Sequence, residues 1–351
     1  MKPKYKKYKI QQGDTLESIA KKLDKSSHEV KSFHNIFCET EEYIGIEFPR
    51  NLVELFIYPT YNQEELSLIP KVPFERPYHL AMKPAQVSNN FGVMYTILSG
   101  KEENTLKFEC SVAFKRLTSE GDFIFEINRI SKTFINDEET STIADELAEK
   151  TNAVLYPLEV VVNDEGNWTG ISNYKAIKTR WKKVKKKILD EYEGEWVEQY
   201  LLLNEETLEE EASLVNSLKK DWFLKSYFNT IYIYYTNKLH IETHALFPLL
   251  TNCDALVYNV EQKINEFLDD YNLIRIEQNG ILADERSKTD LENEMNIPYY
   301  GTLYPGEDIA DGKFRSLYFL NSKTNGIESL FLECSVKTNE EKKVQVVVSL
   351  L

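Results

Sequence analysis

The sequence is poor in the residues of redox and metal chemistry, with four cysteines and five histidines among 351 residues. Cys38, Cys110, Cys253 and Cys334 are widely separated, without a C-x-x-C or a nearby histidine pair. That spacing argues against a zinc site and leaves the thiols reduced and structural, with no cofactor implied. Long apolar runs are also missing. None approaches the ~18 residues that a spanning helix needs, so membrane insertion is not expected. The basic start, residues 1–10, is followed from Gln11 by polar residues where a signal peptide would need its apolar core. A cytoplasmic product is expected, any export being left to a dedicated machine. Positive charge is the third shortage: 42 Lys+Arg stand against 57 Asp+Glu, a net charge of -15. Such a field repels polyanions and argues against nucleic acid as a general partner.

What is present is a globular composition. Hydrophobic residues make up 42% of the chain. At roughly 150 residues per domain the length suggests about two domains, enough to bury a substantial core and to exclude disorder of the whole.

Residues 8–23 read as a short strand, a turn and an amphipathic helix. Gly13 is the turn residue, Asp14 or Thr15 can cap the helix, and Leu16, Ile19, Ala20 and Leu23 follow at helical spacing. A second helix begins near Ser26 or Ser27, carries Val30 and Phe33 on its apolar side and ends at Asn35. Leu55-Phe56-Ile57-Tyr58-Pro59 closes the segment as a second strand. The order is β-α-α-β.

These residues resemble the LysM family. Gly13-Asp14-Thr15-Leu16, Ile19-Ala20, Asn35 and Ile57-Tyr58-Pro59 match that family's pattern, over about a sixth of the chain. The resemblance implies a module at about residues 6–60 that binds N-acetylglucosamine-containing glycans, such as peptidoglycan or chitin, in a shallow groove. The groove is implied to lie between the loop after the first strand, with Gly13, Asp14, Thr15 and Leu16, and the loop after the second helix, with Asn35, Ile36 and Phe37. Acetamido sugars are neutral and are held by backbone N–H and C=O groups plus an apolar surface for the methyl. Residues 1–60 suit them, with 10 Lys/Arg and 9 Asp/Glu. Two features depart from the family: an acidic loop after Asn35, and a longer stretch between Ile44 and Leu55.

Pro59, Pro70, Pro73, Pro77 and Pro84 break regular structure and mark residues 61–90 as a linker that lies along a domain surface. Residues 91–351 then read as an α+β domain with a curved antiparallel sheet and a helical insertion. Its hairpin signals are 106–117 and 123–135 around Thr118–Asp122, Asp164-Glu165-Gly166-Asn167, Asn279-Gly280, and Thr324-Asn325-Gly326. Residues 106–112 and 330–336 share Glu-Cys-Ser-Val and place Cys110 and Cys334 on a core face. Convergent strand patterning accounts for this echo more readily than duplication. Charged helices span about 172–225. One carries Ile177, Trp181, Val184 and Ile188 together with Lys175, Lys178 and the run Arg180–Lys187. The next is expected from Glu205 to about Phe223, beginning with five glutamates, and the opposite charges suggest mutual pairing.

No catalytic motif is legible. The chain has no G-x-S-x-G, P-loop or H-E-x-x-H, and no cysteine-peptidase or transpeptidase signature. His240-Ile-Glu-Thr-His244 reads as strand, which sets the two histidines about 13 Å apart, too far for easy sharing of a metal. Asp269-Asp270 and Asp284-Glu285-Arg286-Ser287 are pairs that a chain with 57 acids offers without catalysis. The expectation is therefore a non-enzymatic binding or adaptor protein, with residues 91–351 contacting a protein partner. In organisation it is similar to LysM-bearing components of contractile injection machines such as type VI secretion systems. The alternatives are a divergent peptidoglycan hydrolase and a pocket protein for an apolar ligand.

Overall fold

The computed structural model describes the chain except residues 1–4, 12, 24, 39–41, 46–48, 50–51, 58–68, 140–141 and 301–307. Part of the acidic loop, part of the stretch between Ile44 and Leu55, Tyr58, Pro59 and residues 61–68 of the expected linker lie outside the described residues. The chain divides into two compact units, Met1–Pro70 and Lys71–Leu351. The architecture is α+β with antiparallel sheet predominating. No helix among the described residues is long and apolar enough to cross a membrane.

In the first unit the elements run β1 (Lys6–Lys9), α1 (Leu16–Lys22), α2 (Ser27–Phe37) and β2 (Glu54–Ile57). The strands pair antiparallel, from Lys6 opposite Ile57 to Lys9 opposite Glu54. Both helices start with a capping box, Thr15 with Ser18 and Ser26 with Glu29, which satisfies orphan N–H groups in both directions. Ile19, Ala20, Val30, Ile44, Leu52, Leu55 and Ile57 form the unit's own core, with Leu16 and Leu23 packed on it. These α1 positions fall on one helical face, as their spacing requires.

The second unit is built on a sheet of thirteen strands among the described residues. Its first half is β3 (Ser88–Ser99), β4 (Glu102–Leu117), β5 (Phe123–Arg129), the short β6 (Phe134–Ile135) and β7 (Glu138–Glu139), β8 (Leu158–Val162) and β9 (Trp168–Ile171). Its second half is β10 (His240–Phe247), β11 (Leu256–Ile264), β12 (Leu273–Leu282), β13 (Asp311–Asn321), β14 (Ile327–Lys337) and β15 (Glu341–Leu350). The spatial order is β10-β11-β12-β13-β14-β15-β3-β4-β5-β8-β9, so the halves join where β15 pairs with β3. The echo segments lie in β4 and β14, each one strand out from that central pair, with Cys110 and Cys334 both buried.

Glycines fix several turns. β3 and β4 are joined through Gly100 at φ +61°, a left-handed conformation suited to a two-residue hairpin loop. Gly166 in the β8–β9 turn has φ +88°, and a Cβ there would stand 2.6 Å from Tyr232 Cδ2. Asn279-Gly280 corrects the sequence reading. It is no turn: β12 runs straight through it, and Gly280 allows β11 to approach, since a Cβ would meet Asn259 O at 2.5 Å.

Helix α3 (Ile143–Asn152) lies within the first half, between β7 and β8, and α4 (Tyr174–Glu191), α5 (Glu195–Glu209), α6 (Glu211–Leu218) and α7 (Trp222–Tyr227) lie between the halves. A short α8 (Lys288–Glu292) follows β12. The single helix expected over 205–223 is replaced by α5, which starts earlier, and by separate α6 and α7. Five glutamates gather where α5 ends, which opposes its macrodipole. Its terminal carbonyls are taken by α4, where the Tyr174 hydroxyl donates to Leu208 O and Glu209 O and Lys178 Nζ donates to Glu209 O. The expected charge pairing is realised in Lys185 Nζ–Glu205 Oε2 at 2.5 Å. Arg180 instead donates to the carbonyls of Val154, Leu155 and Pro157.

Phe223, Tyr227, Phe228, Ile231, Tyr232 and Tyr235 are buried with the inward residues of the sheet in one core. The second half of the proline-rich stretch also belongs to this unit. Val72 and Leu80 are buried in that core, and their N–H groups donate to Glu266 O and Ile233 O.

Candidate functional site

The first edge of the implied groove is a stapled turn. Gly13, at φ +90°, lets the chain reverse between β1 and α1. The Asp14 carboxylate then closes the turn: Oδ2 accepts from the Tyr8 hydroxyl at 2.8 Å and from Gln11 N at 2.9 Å, and Oδ1 pairs with Lys22 Nζ at 2.7 Å. Lys22, then the Gln11 N–H and the Tyr8 hydroxyl, hold the Asp14 pKa down to about 2. Thr15 is the N-cap and Leu16 packs on the core. Sequence spacing did not reveal Tyr8 and Lys22, because their meeting requires β1 and α1 to lie side by side.

The second edge is held by two side chains at the end of α2. Asn35 clamps Ile44, accepting from its N–H at 2.9 Å and donating to its C=O at 3.1 Å, in the manner of a strand pair. His34 is fully buried. Its Nδ1 accepts from Phe56 N–H at 3.0 Å, so geometry assigns the ring proton to Nε2, which donates to Glu42 O at 3.0 Å. Ile36 stands 71% exposed. Phe37 packs with Tyr5 and Phe33 at ring separations of 5.3 and 5.0 Å, toward the Tyr5 end of β1, whereas Gly13 follows the other end.

The other candidate residues lie in the second unit. His240, Glu242 and His244 alternate along β10, and Glu242, Glu261 and Asn279 stand in register across three strands beside His244 and Asn259. All of these except His240 line a shallow trough of about 850 Å³ on the outer sheet face. No group of three or more potential metal ligands occurs among the described residues. Asp284 and Arg286 form a buried bidentate pair, both bonds 2.7 Å, and Arg286 also donates to the carbonyls of Asp254, Ala255 and Met295. Burial pushes the Asp284 pKa up, and the Arg286 hydrogen bonds outweigh it and leave it lowered. Ser287 caps α8 with Asp290, and Asp269 accepts from Tyr271 N and Leu273 N within a turn. These carboxylates are occupied in holding the backbone.

A buried polar ladder is the feature that residue types alone concealed. Gln262, Gln278 and Ser316 stand side by side on the core face of β11, β12 and β13. Gln278 donates to Gln262 Oε1 at 2.5 Å, and its own Oε1 accepts from Ser316 Oγ and Asn229 Nδ2. Gln262 donates to the Tyr235 hydroxyl, and Asn229 donates to that of Tyr318. This ties the segment after α7 to the sheet. A scan of protein-family models and a search of curated proteins return no match to the chain.

Proposed function

We propose that the protein is a non-enzymatic binding protein whose first unit is a LysM-like module for N-acetylglucosamine-containing glycans. The β-α-α-β order and the positive-φ Gly13 agree with that reading. The observation that carries it is what the two loops leave outward. The Asp14 carboxylate and the Asn35 amide are taken up by internal bonds and the half-exposed Lys22 is paired with Asp14, while the apolar Ile36 is exposed. A neutral, partly apolar surface with backbone groups suits an acetamido sugar better than an ion. Residues 71–351 supply the contact body for a protein partner. Trp196, Leu202 and Leu203 of α5, each about half exposed or more, support that part. A cytoplasmic origin with delivery by a contractile injection machine is the proposed setting.

The test is retention of the intact protein on peptidoglycan and chitin, with chitotetraose as soluble competitor, against an Ile36→Asp variant of unchanged circular dichroism. The wild type should be retained and competed off, and the variant should wash through. Wild-type protein in the flow-through, or equal retention of both, would remove the reading.

A further inference from the structure

We propose that the second unit contains a binding cavity for a monocarboxylate with an apolar body, anchored by Arg129; this is a separate site from the proposed glycan surface. The cavity measures about 670 Å³, within the range of about 300–1,000 Å³ usual for small-molecule sites. Its sheet wall is Tyr95 of β3 and Phe108 of β4, with Arg129 at the end of β5; Ala148 of α3 and Tyr156 form the facing wall.

The Arg129 guanidinium lies 3.4 Å from the Phe108 ring centroid and 6.0 Å from that of Tyr156. Stacking of this kind orients the planar fork, one of whose donors is already shared with the Tyr156 side chain. Nη1 is buried and has no hydrogen-bond partner among the described residues. The buried Asp221 carboxylate feels the guanidinium's charge, but it is committed to the start of α7, accepting from Leu224 N at 2.8 Å. A buried donor left unpaired is costly, and a ligand carboxylate is the group whose geometry matches it.

The rest of the site selects the ligand's body and charge. Aromatic rings and Ala148 offer surface to hydrocarbon. Asp145 and Glu149 stand at the α3 side of the cavity and disfavour a dianion such as a phosphate monoester, while Lys132 is paired with Glu139. A single negative charge on an aliphatic or aromatic body is what remains.

The experiment is calorimetric titration of the full chain with decanoate, 3-phenylpropionate and the neutral decanol. At least one carboxylate should bind saturably at one site, and decanol should bind at least about tenfold more weakly. Which acid binds tells an acyl from an aromatic body. Arg129→Met, which keeps the stem on Phe108, should lose about tenfold or more in affinity, and Ala148→Trp should block binding by filling the cavity. No saturable binding of either acid below about 1 mM, or decanol binding as well as the acids, would overturn the proposal; so would unchanged affinity in a folded Arg129→Met. The acid–alcohol comparison uses the unaltered protein, so a folding defect in a variant leaves the test intact.

Discussion

Gln262 and Gln278 face each other in register across β11 and β12, both buried, joined by a 2.5 Å hydrogen bond from Gln278 Nε2 to Gln262 Oε1. Their partners differ in number. Gln278 also serves Ser316 and Asn229, whereas Gln262 has, among the described residues, Tyr235 alone beyond the shared bond, and that hydroxyl keeps Ile231 O as its own acceptor. Unpaired buried groups are what make such a deletion costly.

Gln278→Leu is therefore expected to cost about 2–4 kcal/mol and Gln262→Leu about 1–2 kcal/mol, because more donors are stranded in the first case. Urea midpoints measure both. Equal losses, or the reverse order, would mean that the ladder is not centred on Gln278.

The Asp284–Arg286 pair gives a second expectation. Asp284→Ala strands a guanidinium whose side chain is 5% exposed, and should cost about 3–5 kcal/mol. The double change Asp284→Leu with Arg286→Met should recover much of that loss, since it removes both charges. Because the folded-state pKa of Asp284 is lowered, its contribution is complete above the unfolded value of about 3.9 and fades as the solution is acidified below it. Thermal melts of the single and double variants decide the matter; a double variant no more stable than the single one would count against the pair's role.

Asp14 sets a comparable acid limit on the first unit. Its carboxyl is held to about 2, so the stapled turn is fully supported above about pH 4 and loses that support between about 4 and 2. Amide exchange at Gln11, whose N–H rests on Asp14, should accelerate through that window beyond the ordinary pH trend. In Asp14→Asn the extra acceleration should vanish. Its persistence in the variant would assign the transition to another group.

Much of the fold was legible because alternation and turn chemistry are local. The strand placement of His240–His244, the Gly121 and Gly166 turns and the inward Cys110 and Cys334 all follow from two-residue periodicity and the tolerance of glycine for positive φ. The misreading at Asn279-Gly280 shows the limit. A glycine that serves close strand approach has the same local signature as one that serves a turn, and only the neighbour, Asn259, distinguishes them. Gln262 and Gln278 were invisible for a related reason: on a strand, amide side chains read as the solvated face unless cross-strand partners are known. Arg129 was equally silent, one basic residue closing the hydrophobic run of β5, its importance resting on Phe108 and an α3 wall distant in sequence.

The placement of Glu341–Leu350 between β14 and β3 makes this strand the keystone of the second unit. Its registry with Phe91–Ser99 spans some 250 positions of chain, a loop closure that must wait until translation has passed residue 350. Before then, each half presents a long naked edge to its surroundings. A polypeptide interrupted ahead of residue 341 would accordingly leave the facing strands of the two half-sheets without each other as partners and inclined to pair with strangers.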